Sequence, residues 1–349
     1  MRIMSIQSFH DSSVTILNDG KLEYFFKEER YTRKKRQSVP YKAILKALEV
    51  TKGEIDHVII DQVKNNAIPF FVKKFLDCPI HDKWDSHHMS HGWLAYYNSG
   101  FEGESLVFVI DREGSNIGDL MRECESVLKM WYPSQTRNLQ KNFWLHNKGV
   151  DYVKHYGLMN NPNWIVNADT MMGICKVYES ANTLIGQNEF ESGKTMGLAA
   201  YGKDQPHQSL FHDDRPVDSL FIHDYFPTKS ETKSFSVLHK KHVNKITLDV
   251  PESDYQFYAD YAYQVQKQTQ EQVLNLVKTW VAATGIKQVC LSGGYFMNVV
   301  TNAYLVKNLP DVNFYFEPLA DDTGLSIGQA LHFYHTMTQS TEVNKLENI

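Results

Sequence analysis

The sequence predicts an α/β protein built as two halves that face one another across a cleft. Three observations carry this. Short apolar runs that read as strands alternate with stretches of helical spacing, and two of those runs lead into aspartates, Asp111 and Asp322. At 349 residues the chain is too long for one compact core and suits two domains of ordinary size. The expected division is 1–150 for a first half carrying a polar insertion and 151–349 for a second half with an insertion at about 204–250.

In chain order, Ile3 to Phe9 and Ser13 to Leu17 read as strands, and Asn18-Asp19-Gly20 as the hairpin turn into a third strand, Lys21 to Phe26. Tyr41 to Val50 has helical apolar spacing, and His57 to Asp61 reads as a strand. A histidine-bearing helix then precedes the strand Val107-Phe108-Val109-Ile110. The second half is expected to open near Ala168 with a helix through Met172, Val177 and Leu184, followed by a Gly-rich loop from Glu191 to Gly202. A long helix, Tyr255 to Thr284, leads to the strand Val289-Cys290-Leu291 and the turn Ser292-Gly293-Gly294; a strand at Phe314 to Phe316 and a helix from Gly324 to Tyr334 close the pattern. Residues from about 121 to 167 and 204 to 250 are polar and irregular with scattered aromatics, and read as insertions carrying contacts.

Composition narrows the class. Hydrophobic residues make up 42% and charged ones 22%, as in ordinary globular proteins, and a net charge of −5 gives no global reason to expect nucleic acid or membrane as partner. The four cysteines form no CxxC pair, so neither a zinc ribbon nor a disulfide framework is suggested. No stretch approaches the ~20 apolar residues of a membrane span. A cytoplasmic location is the expectation.

The most informative motif is Ser86-His87-His88-Met89-Ser90-His91. Its four-residue interval sets His87 and His91 on one side of a helix, half of a metal site. Asp111 and Asp322 are the candidates for the other half, since a carboxylate at the C-terminal end of a buried strand points into the cleft of an open α/β sheet. Surface helices also carry histidines freely, so a purely structural pair is the alternative, and His88 replaces His87 if the helix register shifts. Two imidazoles and two carboxylates suit Fe(II), Mn(II), Mg(II) or Zn(II), without choosing among them. Gly293-Gly294 allows close backbone approach to a ring or phosphate, and Asn298 and Asn302 lie at i and i+4 beyond it, to bind adenosine hydroxyls or to be solvated. Lys194, among small residues, suits a phosphate or is a mobile surface lysine; it lacks the upstream glycine of a Walker loop. His10 is a candidate general base, or a hydrogen-bonding partner of the substrate, with Asp11 to cap the turn or orient it. The basic run Arg30, Arg33, Lys34, Lys35, Arg36 is either a solvated face or a phosphate site.

Taken in order, six fragments resemble the O-carbamoyltransferase family of nodulation-factor and aminoglycoside enzymes. They are His10-Asp11-Ser12-Ser13 with Asp19-Gly20; Glu28-Glu29-Arg30 with Arg33-Lys34-Lys35; His87 to His91 with Ser99-Gly100-Phe101; Gly193 to Gly202; Gly293-Gly294 with Asn298 and Asn302; and Asp322-Thr323-Gly324 with Gly328. The family's catalytic domain is similar to the tRNA threonylcarbamoyladenosine transferase of the actin-like ATPase (ASKHA) superfold. The resemblance therefore implies duplicated ribonuclease-H-like halves with nucleotide and metal in a central cleft. It implies that His87, His91, Asp111 and Asp322 hold the metal, commonly Fe(II), that Gly197, Gly293, Gly294, Asn298, Asn302 and Gly324 face the nucleotide, and that His10, Asp11 and Lys194 serve the reaction.

Two departures stand out. Arg112 follows Asp111 where the family has glycine, and the glycine arrives only at Gly114. The sequence also stops after the closing helix, whereas the family's enzymes usually carry a further, carbamoyl-activating domain, so its absence is expected, with activation done here or by a separate protein.

The implied activity is transfer of a carbamoyl group from carbamoyl phosphate, through carbamoyl-AMP made with ATP, onto an alcohol. The basic and aromatic residues Arg137, Lys141, Trp131, Tyr132, Phe143, Trp144, Lys240, Lys241 and Lys245, with a cleft left open by a missing lid-like domain, favour a 5-hydroxymethylated pyrimidine in DNA or a nucleotide as acceptor. A sugar or antibiotic hydroxyl is the alternative. The other readings are a metabolite kinase of the same superfold and a non-catalytic binding subunit.

Overall fold

A computed structural model of the chain describes residues 1–61, 67–82, 87–111, 154–160, 163–169, 174–187, 190–205, 209–212, 215–216, 219–221, 234–236, 241–242 and 255–339. The opening strands are β1 (Arg2–Gln7), β2 (Ser13–Asn18) and β3 (Lys21–Lys27). Asp19 and Gly20, both at positive φ, make the two-residue turn between the last two. Helices α1 (Glu28–Thr32) and α2 (Tyr41–Thr51), β4 (His57–Ile60), α3 (Ala67–Val72) and β5 (Ile80–Asp82) complete the first unit. The sheet order is β3-β2-β1-β4-β5, with the first three strands antiparallel and the β1–β4 and β4–β5 pairs parallel.

Helix α4 (His87–Ser99) leads to β6 (Ser105–Ile110), β7 (Lys154–Asn160) and β8 (Asn163–Asp169), then to α5 (Ile174–Leu184) and α6 (Ser192–Ala199). Five short strands follow, β9 to β13, at Phe211–His212, Arg215–Pro216, Ser219–Phe221, Ser234–Ser236 and Lys241–His242. After them come α7 (Tyr255–Thr284), β14 (Gln288–Ser292), α8 (Val299–Asn308), β15 (Asn313–Phe316) and α9 (Leu325–Thr338). The second sheet runs β15-β14-β6-β7-β8. Its trio β6, β7 and β8 is again antiparallel and its two later strands parallel, so both sheets share one order and one pattern of strand sense.

Several expectations are corrected here. β6 is hydrogen-bonded to β14 and β7, and so belongs to the second sheet although it lies well before residue 150. Residues 154–160 and 163–169, expected within an insertion, are paired strands of that sheet, and Ala168 lies in β8 instead of opening a helix. The Gly-rich stretch after Glu191 is largely helical, as α6. Arg112, Gly114, Cys124, Met172, the aromatic and basic residues between 131 and 144, Lys240 and Lys245 lie outside the described residues.

Alternation along the strands fills both faces of each sheet. In the first, Met4, Ile6, Val14 and Ile16 pack with Ala43, Ile44 and Ala47 of α2. In the second, Leu106, Phe108 and Ile110 face Val177, Val265 and Val273 of α5 and α7. Between the sheets, Ile3, Leu17, Val107, Val109 and Cys290 close on Leu94 of α4 and Ile327 and Leu331 of α9. The result is five layers: helices, sheet, a central helix pair, sheet, helices.

The middle pair is exchanged. α4 follows the first sheet in sequence and packs on the second; α9 follows the second and packs on β1 and β2. Buried hydroxyls hold α9 there, with Ser13 and Thr15 bonded to Ser326 at 2.8 and 2.7 Å and Ser5 donating to Gln329 at 3.1 Å. A Cβ at Gly328 would lie 1.9 Å from the Ser90 carbonyl, so the two helices touch backbone to backbone there. Among the described residues no helix is long and apolar enough to cross a membrane.

Candidate metal centre and cleft

Three segments deliver one cluster. Helix α4 is buried over most of its surface, which fixes its rotation, and His87 and His91 emerge one turn apart. Asp111 leaves the end of β6, and Asp322 sits in a 3₁₀ turn, Asp322–Gly324, opened by Asp321, whose carboxylate accepts from the Thr323 amide at 3.3 Å. The ligand-type atoms of His87, His91, Asp111 and Asp322 all lie within 4.8 Å of one another. His87 Nε2 and His91 Nε2 are 2.9 and 3.1 Å from Asp111 Oδ2, and 3.4 and 3.8 Å from Asp322 Oδ1. Bonds of about 2.0–2.2 Å to one central cation would space neighbouring donors by roughly 3 Å or a little more, so the set fits a metal ion. His88 is buried and outside the group.

Electrostatics point the same way. Burial opposes charge on His87, but Asp322 and Asp111 outweigh it, and its pKa is pushed up to about 10; His91 is raised on the same balance. Burial likewise opposes the charged carboxylates, yet the imidazoles hold Asp322 down to about 2 and Asp111 well below the usual range. Two carboxylates that stay ionised in a buried place demand positive charge, which protons or a cation can meet. Ser292 Oγ lies 3.4 Å from His91 Nδ1, at hydrogen-bonding range of the nitrogen turned away from the cluster.

Asp111 and Asp322 of the cluster line a cleft of about 600 Å³. Lys27, Lys35 and Arg36 line it from the first half, and Tyr178, Phe190 and Tyr295 from the second. Arg36 spans the mouth, its guanidinium 4.0 Å from the centre of the Phe190 ring. His10 lines the cleft with Nδ1 3.5 Å from Asp322 Oδ2. Asp11 lies beside it, its carboxyl pushed up by burial and by neighbouring Asp321.

The remaining expected site residues separate into two groups. Gly294 and Asn298 line the cleft. A Cβ on Gly294 would meet Asp111 Oδ1 at 3.1 Å, while Asn298 caps α8 by accepting from the Thr301 amide and donates to Gln266 Oε1 at 2.8 Å. Gly293, Gly197, Asn302, Gly324 and Lys194 are not among the lining residues. Gly293, at φ +92, lets the turn press on β6, where a Cβ would lie 2.5 Å from the Ile110 carbonyl. Gly324 makes a similar close approach to Leu319, and Asn302 donates to the Phe296 carbonyl at 2.8 Å. Lys194 pairs with Glu191 at 2.5 Å on an exposed face, since the segment is a helix that presents Ser192, Gly193 and Met196 to the cleft instead. Sequence reading missed Tyr178, Phe190, Tyr295 and Asp321. Only Asp321 left a signal, the Asp-Asp-Thr-Gly run in which the first aspartate reads as a cap.

A family model described as carbamoyltransferase N-terminus matches residues 71–331. The chain belongs to the carbamoyltransferase family. The nodulation protein NolNO of Sinorhizobium fredii is 23% identical over 375 residues, covering 97% of this chain and 48% of NolNO. NolO of Bradyrhizobium diazoefficiens is 24% identical over 246 residues, covering 70% and 37%. The chain thus spans about half the length of the curated relatives it matches. Two solved structures share the fold: full-length HypF in its phosphate- and nucleotide-bound form, TM-score 0.54 at 15% identity, covering 97% of this chain and 56% of HypF, and HypF of T. kodakarensis, TM-score 0.57 at 12% identity, covering 99% and 49%.

Proposed function

We propose that the chain is the transfer domain of an O-carbamoyltransferase, moving a carbamoyl group from carbamoyl phosphate, by way of ATP and carbamoyl-AMP, onto an alcohol. The single observation that carries this reading is the two-histidine, two-aspartate cluster whose aspartates line a cleft shared with Lys27, Lys35, Arg36 and several aromatic rings, in a member of the carbamoyltransferase family. The shared strand order of the two sheets supports a duplicated ribonuclease-H-like architecture of the actin-like ATPase kind, and the nucleotide held by HypF supports a nucleotide in this cleft.

His87, His91, Asp111 and Asp322 would hold a divalent metal, Fe(II) favoured, which supplies Lewis acidity and a grip on phosphate or carbonyl oxygens. Lys27, Lys35 and Arg36 neutralise phosphate at the first wall, and Tyr178, Tyr295 and Phe190 give an aromatic surface for a base at the second. His10, with Nδ1 turned to Asp322, has Nε2 left to take the proton of the acceptor hydroxyl as that oxygen attacks the carbamoyl carbon. Gly294 keeps space beside Asp111 that any side chain would fill.

For the acceptor, Lys35 and Arg36 at the cleft mouth support a polyanion, hence a 5-hydroxymethylated pyrimidine in DNA or a nucleotide, with a sugar or antibiotic hydroxyl as the alternative. The test is to incubate the protein with ATP, carbamoyl phosphate, Fe(II) or Mn(II) and candidate alcohols, and to follow products by mass spectrometry. AMP and pyrophosphate that depend on carbamoyl phosphate, with carbamoyl mass on the alcohol, are expected. A parallel arm supplies carbamoyl-adenylate directly, for the case in which a separate protein performs activation. ADP formation would move the assignment to a kinase, and no transfer in either arm would sink it.

A further inference from the structure

The cluster draws its donors from segments far apart in sequence, and one buried carboxylate outside it ties two of those segments together. Glu317 directly follows β15 and is 4% exposed. Its Oε2 accepts from Asn98 Nδ2 at 3.2 Å and from the Tyr315 hydroxyl at 3.1 Å, and its Oε1 accepts from the Leu319 amide at 2.9 Å. The Glu317 amide donates to the Leu291 carbonyl at 3.0 Å. Asn98 belongs to the last turn of α4, the helix that carries His87 and His91. Leu319 begins the loop that delivers Asp321 and Asp322, and that loop is pressed on α4, because a Cβ on Gly324 would meet both the Leu319 carbonyl and Leu94 Cδ2 within 2.6 Å.

A carboxylate in this setting is costly to bury, and replacing it by apolar side chains would be the cheaper way to fill the space. Glu317 does not line the cleft. Its three donors instead come from α4, from β15 and from the loop to Asp322. A shift of α4 along its axis, or of the loop across it, breaks at least one of them. We propose that Glu317 is a positioning residue for the metal centre, clamping the helix that bears His87 and His91 to the loop that bears Asp322. This rests on the metal reading given above.

The test titrates Co(II) into the purified full chain by calorimetry and visible absorption, with wild type, His91→Ala, Glu317→Gln, Glu317→Ala and, as a control for general destabilisation, Ile44→Ala on the far face of the first sheet. Glu317→Ala is expected to weaken Co(II) by about 10- to 100-fold and to alter its absorption bands, with Glu317→Gln intermediate. Ile44→Ala is expected to lower the unfolding temperature while leaving affinity and spectrum as in wild type. Wild-type affinity and bands in Glu317→Ala, with binding lost in His91→Ala, would overturn the clamp and leave the metal reading standing. A wild type that binds no Co(II) would overturn both. Should Glu317→Ala fail to fold, Tyr315→Phe and Asn98→Ala each remove a single donor. Weaker Co(II) binding in them supports the clamp, and unchanged binding in both overturns it.

Discussion

His91 is wholly buried and within 4 Å of two carboxylates, so removing its ring leaves both of them with His87 as the remaining imidazole. His91→Ala and Asp322→Asn are each expected to reduce bound metal from near stoichiometric to background, measured by elemental analysis after loading with Mn(II). Either variant retaining full metal would show that the cluster is held together for another reason. The neighbouring turn yields a separate expectation. Gly293→Ala places a methyl group 2.5 Å from the Ile110 carbonyl at φ +92, where strain alone costs on the order of 1–3 kcal/mol. A lower denaturant midpoint is expected, and a midpoint equal to wild type would mean that the turn relaxes away from β6. Part of the grouping of these four side chains left a local signal in the sequence, the four-residue histidine interval and the acid that follows β6, whereas Asp322 arrives in a 3₁₀ turn beyond β15. Glu317 and Asn98 left none, because their roles arise only when α4 and the β15 loop meet.

Helix α2 shows how an element borrows a distant residue. Its N-cap is Pro40, which offers no side-chain acceptor, and buried Glu28 takes that part by accepting from the Lys42 and Ala43 amides at 3.3 and 2.8 Å. Glu28→Ala is expected to lower stability by about 1–2 kcal/mol in chemical denaturation; no loss would mean that water substitutes for the carboxylate. The Glu-Glu-Arg fragment that carried part of the family resemblance thus has one member with a structural duty. Other elements were read well or badly for similar reasons. The Asn-Asp-Gly hairpin depends on two residues and was legible. β7 and β8 were not, since Lys154 to Asp169 mixes glycine, asparagine and aromatics without clean alternation, and pairing with β6 makes them strands. Around Lys194 the glycines suggested a loop, yet Asn182, donating to Ser192 and accepting from Thr195, pins the segment as a helix against α5.

On the scale of the molecule, the exchanged helices decide how the halves cooperate. The mixed α/β character was legible from strand and helix alternation. Which sheet owns β6 was not, because a strand buried on both faces reads the same whatever its partners. At Gly328 the central helices leave no room, and Gly328→Ala should push α9 from α4 at about 1–3 kcal/mol, lowering the unfolding temperature and the metal content together. Loss of stability with metal content intact would show that the strain is absorbed on the α9 side alone. The same exchange imposes an order on biosynthesis. Ser5 waits for Gln329, 324 positions downstream, so Ile3, Leu17 and Ile59 stay uncovered on the ribosome until α9 has emerged. A nascent chain halted before Leu325 presents that bare sheet to proteases and chaperones, and neither half matures ahead of the other.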